Sequence, residues 1–302
     1  MHVGLIGLGK MGANMRERIR GAGHQVSGYS RTSPSRDVTS LEELVAALPT
    51  PRVVIVMVPA GAATASTITA LGDLLSAGDL VVDGGNSKFT DDILHAEQLR
   101  AKGIGFVDCG VSGGVWGQEN GYGLMCGGDA EHVEMVMPIF DALRPEGPRD
   151  EGFVHAGDVG AGHYVKMVHN GIEYGLMQAY AEGFELLMAK DSVKDVPGSF
   201  KAWTRGTVVR SWLLDLMVLA LDEDHDLGQI RGYVNDSGEG RWTVEEALAH
   251  AVPLPVITAA VYARFSSRQD DSPQMKAVAA LRNQFGGHAV TRAGESGVLT
   301  DH

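Results

Sequence analysis

The chain has 302 residues, 44% apolar and 21% charged, enough for two domains that each bury a core. Its 38 acidic residues outnumber 25 basic ones for a formal net charge of −13, which opposes non-specific binding to nucleic acid or an anionic membrane. Two cysteines, Cys109 and Cys126, are too few for a disulfide scaffold and lack metal-ligand spacing, so they read as core. No basic leader and no apolar run of ~18–20 residues is present, and a cytoplasmic protein is expected.

The first half alternates apolar β-branched runs with helical spacing. Strands are predicted at Val3–Ile6, Gln25–Tyr29, Arg52–Val58, Leu80–Asp83 and Gly105–Asp108. Helices fall between them at Gly12–Ala22, Leu41–Ala47, Ala62–Leu75 and Asp91–Lys102. Such alternation makes a Rossmann-type α/β fold, a doubly wound parallel sheet with helices on both faces. A stretch rich in Pro, Gly and charge, Arg144–Gly152, closes the pattern, with Phe153–His155 as one last strand. Helical periodicity follows through Tyr164–Lys190, Phe200–Leu221, Gly228–Tyr233, Thr243–Ala251, Pro255–Ser266 and Met275–Phe285, and Arg292–His302 reads as a frayed end. The expected organisation is a dinucleotide-binding Rossmann domain over 1–160 and an all-α domain for substrate binding and oligomerisation over 161–302.

Gly7-Leu8-Gly9-Lys10-Met11-Gly12 is a G-x-G-x-x-G that leaves the first strand and opens the first helix. Its glycines permit a tight turn and close backbone approach, and the helix N-terminus then faces a pyrophosphate. Enzymes that use NAD usually carry an acid at the end of the second strand to hold the ribose diol. Here Ser30, Arg31 and Thr32 stand there instead. No carboxylate repels a 2′-phosphate and Arg31 offers it a guanidinium, so NADP is the expected cofactor, with NAD as the alternative.

The most informative segment is Gly162 to Tyr174. On a helix, Lys166, Asn170, Glu173 and Tyr174 lie at i, i+4, i+7 and i+8 and share one face. An amine, an amide, a carboxyl and a phenol flanked by Met167 and Val168 are costly to bury unless they pair or work. The stripe reads as a functional site rather than a solvated salt-bridge face.

These residues together resemble the 6-phosphogluconate dehydrogenases. The resemblance spans nearly the whole chain and rests on Gly7–Gly12, Asp83-Gly84-Gly85-Asn86-Ser87, Gly110-Val111-Ser112-Gly113-Gly114, Lys166–Tyr174, Tyr262-Ala263-Arg264 and Arg282–His288. The length resembles the short bacterial form. The resemblance implies oxidative decarboxylation of 6-phosphogluconate to ribulose 5-phosphate and CO2, without a metal. It implies Lys166 as general base and later acid, and Glu173 as the acid that protonates the product carbon. Asn86, Ser112, Gly113, Gly114, His169 and Asn170 would hold the carboxylate and hydroxyls. Tyr174, Arg264 and, from the tail of a second subunit, Arg282 and His288 would hold the phosphate. Val58, Pro59 and Asn86 would join Gly7–Gly12 and Ser30–Thr32 around the dinucleotide. The protein is expected to be a homodimer or homotetramer.

One segment departs from the family pattern. Asp236-Ser237-Gly238-Glu239-Gly240-Arg241-Trp242 lacks the first lysine of a phosphate-gripping glycine loop, with Arg241 as a candidate substitute and Glu239 as a repelling charge. The acidic run Asp222–Asp226 reads as a solvated turn. Two other readings compete with the decarboxylating enzyme. One is a 3-hydroxyacid dehydrogenase of the 3-hydroxyisobutyrate type, and the other is a dinucleotide-binding sensor without turnover.

Overall fold

The computed structural model describes residues 1–286 and 290–292, the side chains of 285 and 286 excepted. The chain forms two compact units, Met1–Asn170 and Gly171 onward, and a single 28-residue helix, Ala161–Met188, contributes to both.

In the first unit the strands are β1 (His2–Ile6), β2 (Gln25–Tyr29), β3 (Val53–Val56), β4 (Leu80–Asp83), β5 (Gly105–Ser112), β6 (Gly123–Gly128) and β7 (Phe153–Gly157). They make one sheet in the order β2-β1-β3-β4-β5-β6-β7. β1 to β5 run parallel, β6 is antiparallel to β5, and β7 is parallel to β6. The helices are α1 (Lys10–Gly21), α2 (Leu41–Ala46), α3 (Ala62–Leu74), α4 (Phe89–Arg100), α5 (Gly117–Asn120), α6 (Ala130–Leu143) and α7 (Ala161–Met188).

Both sheet faces are apolar because alternate residues of each strand point to opposite sides. Val3, Leu5, Ile55, Val82 and Val107 meet Met15 and Ile19 of α1 and Val136 and Phe140 of α6. Ile6, Val54, Val56 and Val81 meet Leu44 of α2, Ile68 and Leu71 of α3 and Leu99 of α4 on the other side. The predicted parallel order is therefore extended by an antiparallel strand that the sequence pattern hides. Gly123-Leu124-Met125-Cys126-Gly127-Gly128 is half glycine, which weakens any strand signal. Glycine is required at 127, where a Cβ would lie 2.5 Å from Asp108 Oδ1. Cys109 and Cys126 face each other across β5 and β6 inside the core, with their sulfurs 3.3 Å apart.

The second unit is helical beyond α7, with α8 (Val196–Trp203), α9 (Trp212–Glu223), α10 (Glu239–Ala249), α11 (Pro255–Ser266) and α12 (Pro273–Gly286). The single helix predicted over Phe200–Leu221 is in fact two. Asp195 caps α8 by accepting from Gly198 N at 2.7 Å, the chain turns at Gly206 with φ 74°, and Ser211 caps α9 by accepting from Leu214 N at 3.1 Å. Apolar periodicity continues across the break and concealed it. Gly228–Tyr233 is not helical either. Leu227 has φ 54°, and Asp226 Oδ1 accepts from Gly228 N at 3.0 Å in a polar turn.

Val196, Phe200, Leu214 and Leu221 are buried with Tyr180, Phe184 and Leu187 of α7, while Ala260 and Val261 of α11 enclose Tyr174. Much apolar surface stays uncovered, including Val208, Trp212, Leu219, Leu186 and Met188. Among the described residues, no helix is long and apolar enough to cross a membrane.

Candidate active site

The β1–α1 loop holds glycine where no side chain fits. A Cβ at Gly7, whose φ is 100°, would lie 2.3 Å from Met57 O, and one at Gly12 would lie 1.9 Å from Gly7 O. The loop therefore folds only with glycine at both positions. Gly9 is the N-cap of α1 with no side-chain cap, nothing lies within 4 Å of where its Cβ would be, and the first turn holds no acidic residue. Open space over uncapped backbone N–H groups at a helix N-terminus suits an anion. Lys10 is exposed, Leu8 is buried in the core, and Met11 packs against it. Val58 reaches the loop from the end of β3, its Cγ1 3.3 Å from a Cβ built on Gly7, and Pro59 O accepts from Thr64 Oγ1 at 3.0 Å.

At the end of β2, Ser30 Oγ accepts from Thr32 N and Ser33 N at 3.4 and 3.2 Å, and Arg31 is exposed. Arg36 Nη1 donates to the carbonyls of Ser30 and Arg31 at 3.4 and 3.3 Å, a second cation at this turn that sequence reading missed. Asp37 also returns to the strand, accepting from Gly28 N and Arg20 Nη2, both at 2.7 Å. Partial burial pushes its carboxyl up, but Arg20, the Gly28 N–H and Arg16 outweigh this and hold it below the usual range. Its charge is met from α1 and does not replace a ribose-binding acid.

Beyond β4 the chain turns at Gly84-Gly85-Asn86-Ser87. The buried Asp83 shapes this turn, accepting from Gly85 N at 3.0 Å and Ser87 Oγ at 2.6 Å. Asn86 emerges from it, exposed, and its Oδ1 accepts from the Nζ of Lys166 on α7. Lys166 is only 4% exposed and lies across Gly110 of β5, where a Cβ would come within 2.4 Å of its own Cβ. The lysine is thus held at both ends, its stem against Gly110 and its amine by the Asn86 amide.

One turn earlier on α7, His163 is buried. Its Nδ1 lies 2.7 Å from Asp92 Oδ2 and its Nε2 3.1 Å from Gly85 O. Asp108 takes Gly160 N at 2.6 Å and His163 N at 2.8 Å, satisfying two of the first N–H groups of α7. Neither Asp92, His163 nor Asp108 stood among the predicted residues. A histidine beside a glycine pair and two isolated aspartates form no motif, because their association is made by the sheet.

Ser112 ends β5, and Gly113 and Gly114 follow with φ 137° and 55°, Gly114 opening a short 3₁₀ turn. His169 is exposed, with Nδ1 3.1 Å from Asn170 Oδ1. Glu173, half-buried, follows on the same helix.

Of the other predicted residues, Arg264 packs against Tyr174 in the second unit. The Tyr174 hydroxyl accepts from Ser237 N at 3.2 Å and lies 3.3 Å from Ser237 Oγ, and the Arg264 guanidinium stacks 3.4 Å from the ring centre. Arg264 Nη1 also donates to Asn235 O at 3.1 Å. Arg241 is tied to Asp236 at 2.9 Å, which Arg268 grips from the other side at 2.9 Å, so Arg241 stands as a loop fastener. Glu239 is turned inward, 2% exposed. Arg282 is an exposed residue of α12, and His288 lies outside the described residues. Asp222–Asp226 is largely exposed, with Asp222 and Glu223 closing α9 and only the residues after them forming the expected turn.

Residues 2–145 match the NAD binding domain of 6-phosphogluconate dehydrogenase, and residues 162–287 match its C-terminal domain. The chain belongs to the 6-phosphogluconate dehydrogenase family. It is 42% identical to the NAD(+)-dependent, decarboxylating 6-phosphogluconate dehydrogenase of Haloferax volcanii, over 97% of this chain and 99% of that one. It is 38% identical to the decarboxylating enzyme of Lactococcus lactis over 89% of its own length, but spans only 61% of that protein. Plasmodium falciparum 6-phosphogluconate dehydrogenase superposes with a TM-score of 0.79 at 27% identity, covering 98% of this chain and 67% of that one. The 3-hydroxyisobutyrate dehydrogenase of Mycobacterium tuberculosis shares the fold, with a TM-score of 0.70 at 23% identity over 93% and 99% of the two chains. The chain is thus an oxidoreductase of this family, dependent on a nicotinamide dinucleotide.

Proposed function

We propose that this protein oxidatively decarboxylates 6-phospho-D-gluconate to D-ribulose 5-phosphate and CO2, with NADP as the preferred acceptor. Residues 1–160 serve as the dinucleotide domain and 161–302 as the substrate and assembly domain. The observation that carries the reading is Lys166, a buried lysine whose stem lies on Gly110 and whose amine is bonded to Asn86.

Lys166 Nζ takes the proton from the 3-hydroxyl of 6-phosphogluconate. The bound nicotinamide supplies the hydride acceptor. Loss of CO2 from the 3-keto acid leaves an enolate, and the Lys166 ammonium returns its proton to that oxygen. Glu173 then delivers a proton to the carbon that lost CO2, which becomes C1 of the product, while Lys166 takes the hydroxyl proton back as the enol becomes the ketone. Ser112, Gly113, Gly114, His169 and Asn170 hold the carboxylate and hydroxyls, and Asn86 serves both substrate and dinucleotide.

Tyr174 and Arg264 form the phosphate end, completed by Arg282 and His288 of a second subunit in a homodimer or homotetramer. The glycine loop, the uncapped α1 N-terminus and Val58–Pro59 hold the dinucleotide. Arg31 and Arg36 take the 2′-phosphate. The Haloferax relative is NAD(+)-dependent by name, so the cofactor choice rests on the turn at Ser30–Thr32.

Steady-state turnover of 6-phosphogluconate with NADP and with NAD, with CO2 measured beside reduced cofactor, tests the reading. One CO2 per reduced cofactor is expected. Reduction without CO2 would indicate a 3-hydroxyacid dehydrogenase instead. Lys166→Met should lower kcat at least ~10²-fold while the dinucleotide still binds, and Glu173→Gln should spare binding and impair turnover. Normal turnover in a folded variant would remove that residue's role.

A further inference from the structure

Four elements converge beneath the Lys166 amine on one buried ring. Asp92 comes from α4, Gly85 from the turn after β4, Asp108 from β5, and His163 from the first turns of α7. Gly85 O can only accept a hydrogen bond, and the 2.7 Å approach of Asp92 Oδ2 is that of a charge-assisted pair. Gly85 O fixes one proton on Nε2, and the Nδ1–Asp92 contact carries a second proton shared between ring and carboxyl, burial having raised the Asp92 carboxyl to about 7. With Asp92 ionised, both ring nitrogens donate and the ring is an imidazolium.

The titratable groups acting on it are Asp92 from α4, Asp83 from β4 and Asp108 from β5, with His95 of α4 beside Asp83 and Asp92 and Lys166 one turn away on its own helix. Burial alone pulls the imidazole pKa down, but Asp92, Asp83 and Asp108 outweigh it and hold it at about 10. Asp83 accepts from Gly85 N and the Ser87 hydroxyl, and Asp108 from Gly160 N and His163 N, whereas burial pushes the Asp92 carboxyl up to about 7 against the pull of the His163 ring.

The connection to the chemistry is direct. Gly85 O, which His163 holds, belongs to the residue immediately before Asn86, and Asn86 Oδ1 holds Lys166 Nζ. His163 and Lys166 lie three residues apart on one helix, so they project from neighbouring positions on its surface. The turn and the helix therefore meet twice, once at the ring and once at the amine.

We propose that His163 is a positioning residue: clamped between Asp92 and Gly85 O, it fixes the Asn86 turn against α7 and so sets the amide that aims Lys166. This rests on the reading of Lys166 as general base. Any replacement that cannot donate to both acceptors frees the turn, and the amine loses its fixed direction without losing its neighbours.

The test compares His163→Gln, Asp92→Asn, the double variant and Lys166→Met in the full-length protein. Glutamine can donate to Gly85 O through Nε2, but its Oε1 then faces the Asp92 carboxylate. In the double variant, the amide that Asp92→Asn introduces can donate to that oxygen, and the clamp is rebuilt without charge. His163→Gln should lower kcat about 10–100-fold while the dinucleotide Kd moves less than about threefold. The double variant should regain at least a third of that loss on a logarithmic scale. A purely structural defect would instead make the double variant worse than either single one.

Histidine-selective ¹⁵N spectra of the wild type at pH 8 should show two slowly exchanging N–H protons on one ring, both absent from His163→Gln. A kcat within twofold of wild type, an equal loss in dinucleotide binding, no recovery in the double variant, or a ring with one N–H would each overturn the proposal. Lys166→Met separates the two readings. If it retains turnover, the general-base reading fails whatever His163 does. If it is inactive while His163→Gln is normal, only the clamp fails.

Discussion

The contact between Gly110 and Lys166 gives the sharpest perturbation. A Cβ added at Gly110 lies 2.4 Å from Lys166 Cβ, 2.9 Å from Cδ and 3.0 Å from Cγ. Carbon atoms settle at about 3.5–4.0 Å, so the lysine stem must retreat by roughly 1 Å or more. It cannot do so by swinging a flexible end, because the nearest atom is its own Cβ, fixed to the α7 backbone. Either β5 or α7 moves. Overpacking of this kind costs about 1–3 kcal/mol, and each kcal/mol lowers the melting temperature by roughly 2–4 °C in a protein of 150–250 residues.

The effect on rate should be larger. A misplacement near 1 Å at a reacting group costs on the order of 10²-fold, so Gly110→Ala should keep its fold and its dinucleotide while losing about two decades of kcat. Scanning calorimetry and steady-state kinetics read the two effects separately. Gly123→Ala is the control on the neighbouring strand, because its Cβ would meet nothing nearer than 3.8 Å. It should behave as wild type. A Gly110→Ala protein with normal kcat would refute the argument that the glycine floor sets the amine.

Arg31→Ala should weaken NADP by ~1–3 kcal/mol and leave NAD nearly unchanged, as measured by fluorescence titration, and equal losses would reduce Arg31 to a loop residue. Folded His163 holds its proton to about pH 10 against 6.5 for the free group, so its contribution to stability is full below about pH 6.5 and fades as pH rises through 10. The melting-temperature gap between wild type and His163→Gln should accordingly narrow from pH 7 to 10, and parallel curves would contradict the imidazolium. The uncovered Trp212, Leu219, Leu186 and Met188 lead to an expected homo-oligomer by light scattering. Deleting the chain from Arg282 onward should abolish turnover while the dinucleotide domain stays folded, and a fully active monomer would end that reading.

The parallel half of the sheet was legible because apolar runs and glycine punctuation report directly on strands buried on both faces. β6 was not, since three of its six residues are glycine, and Gly127 answers to the close approach of Asp108 and α7 rather than to any strand preference. The interruption between α8 and α9 escaped for the opposite reason, with apolar spacing carrying on through a turn set by two capping side chains. At the site, Lys166, Asn86 and the glycine loop announced themselves by spacing and motif. The residues that fix Lys166 in place did not. Gly110 matters for the atom it lacks, and His163, Asp92 and Asp108 meet only once four separate elements have been folded together.

The 28 residues of α7 run without interruption from the turn that holds His163 to the cluster that encloses Tyr174. On such a helix the angle between two side chains depends only on the number of residues between them, about 100° for each. Lys166 and Glu173 are seven apart and come back into phase. Inserting one residue anywhere between Met167 and Ile172 would swing Glu173 and all that follows by more than a quarter turn, with no loop to absorb the error. Length changes should therefore be tolerated in the turns around Gly206 or Gly228 and excluded from this stretch. An insertion scan along the gene would show the segment as a gap in an otherwise permissive map.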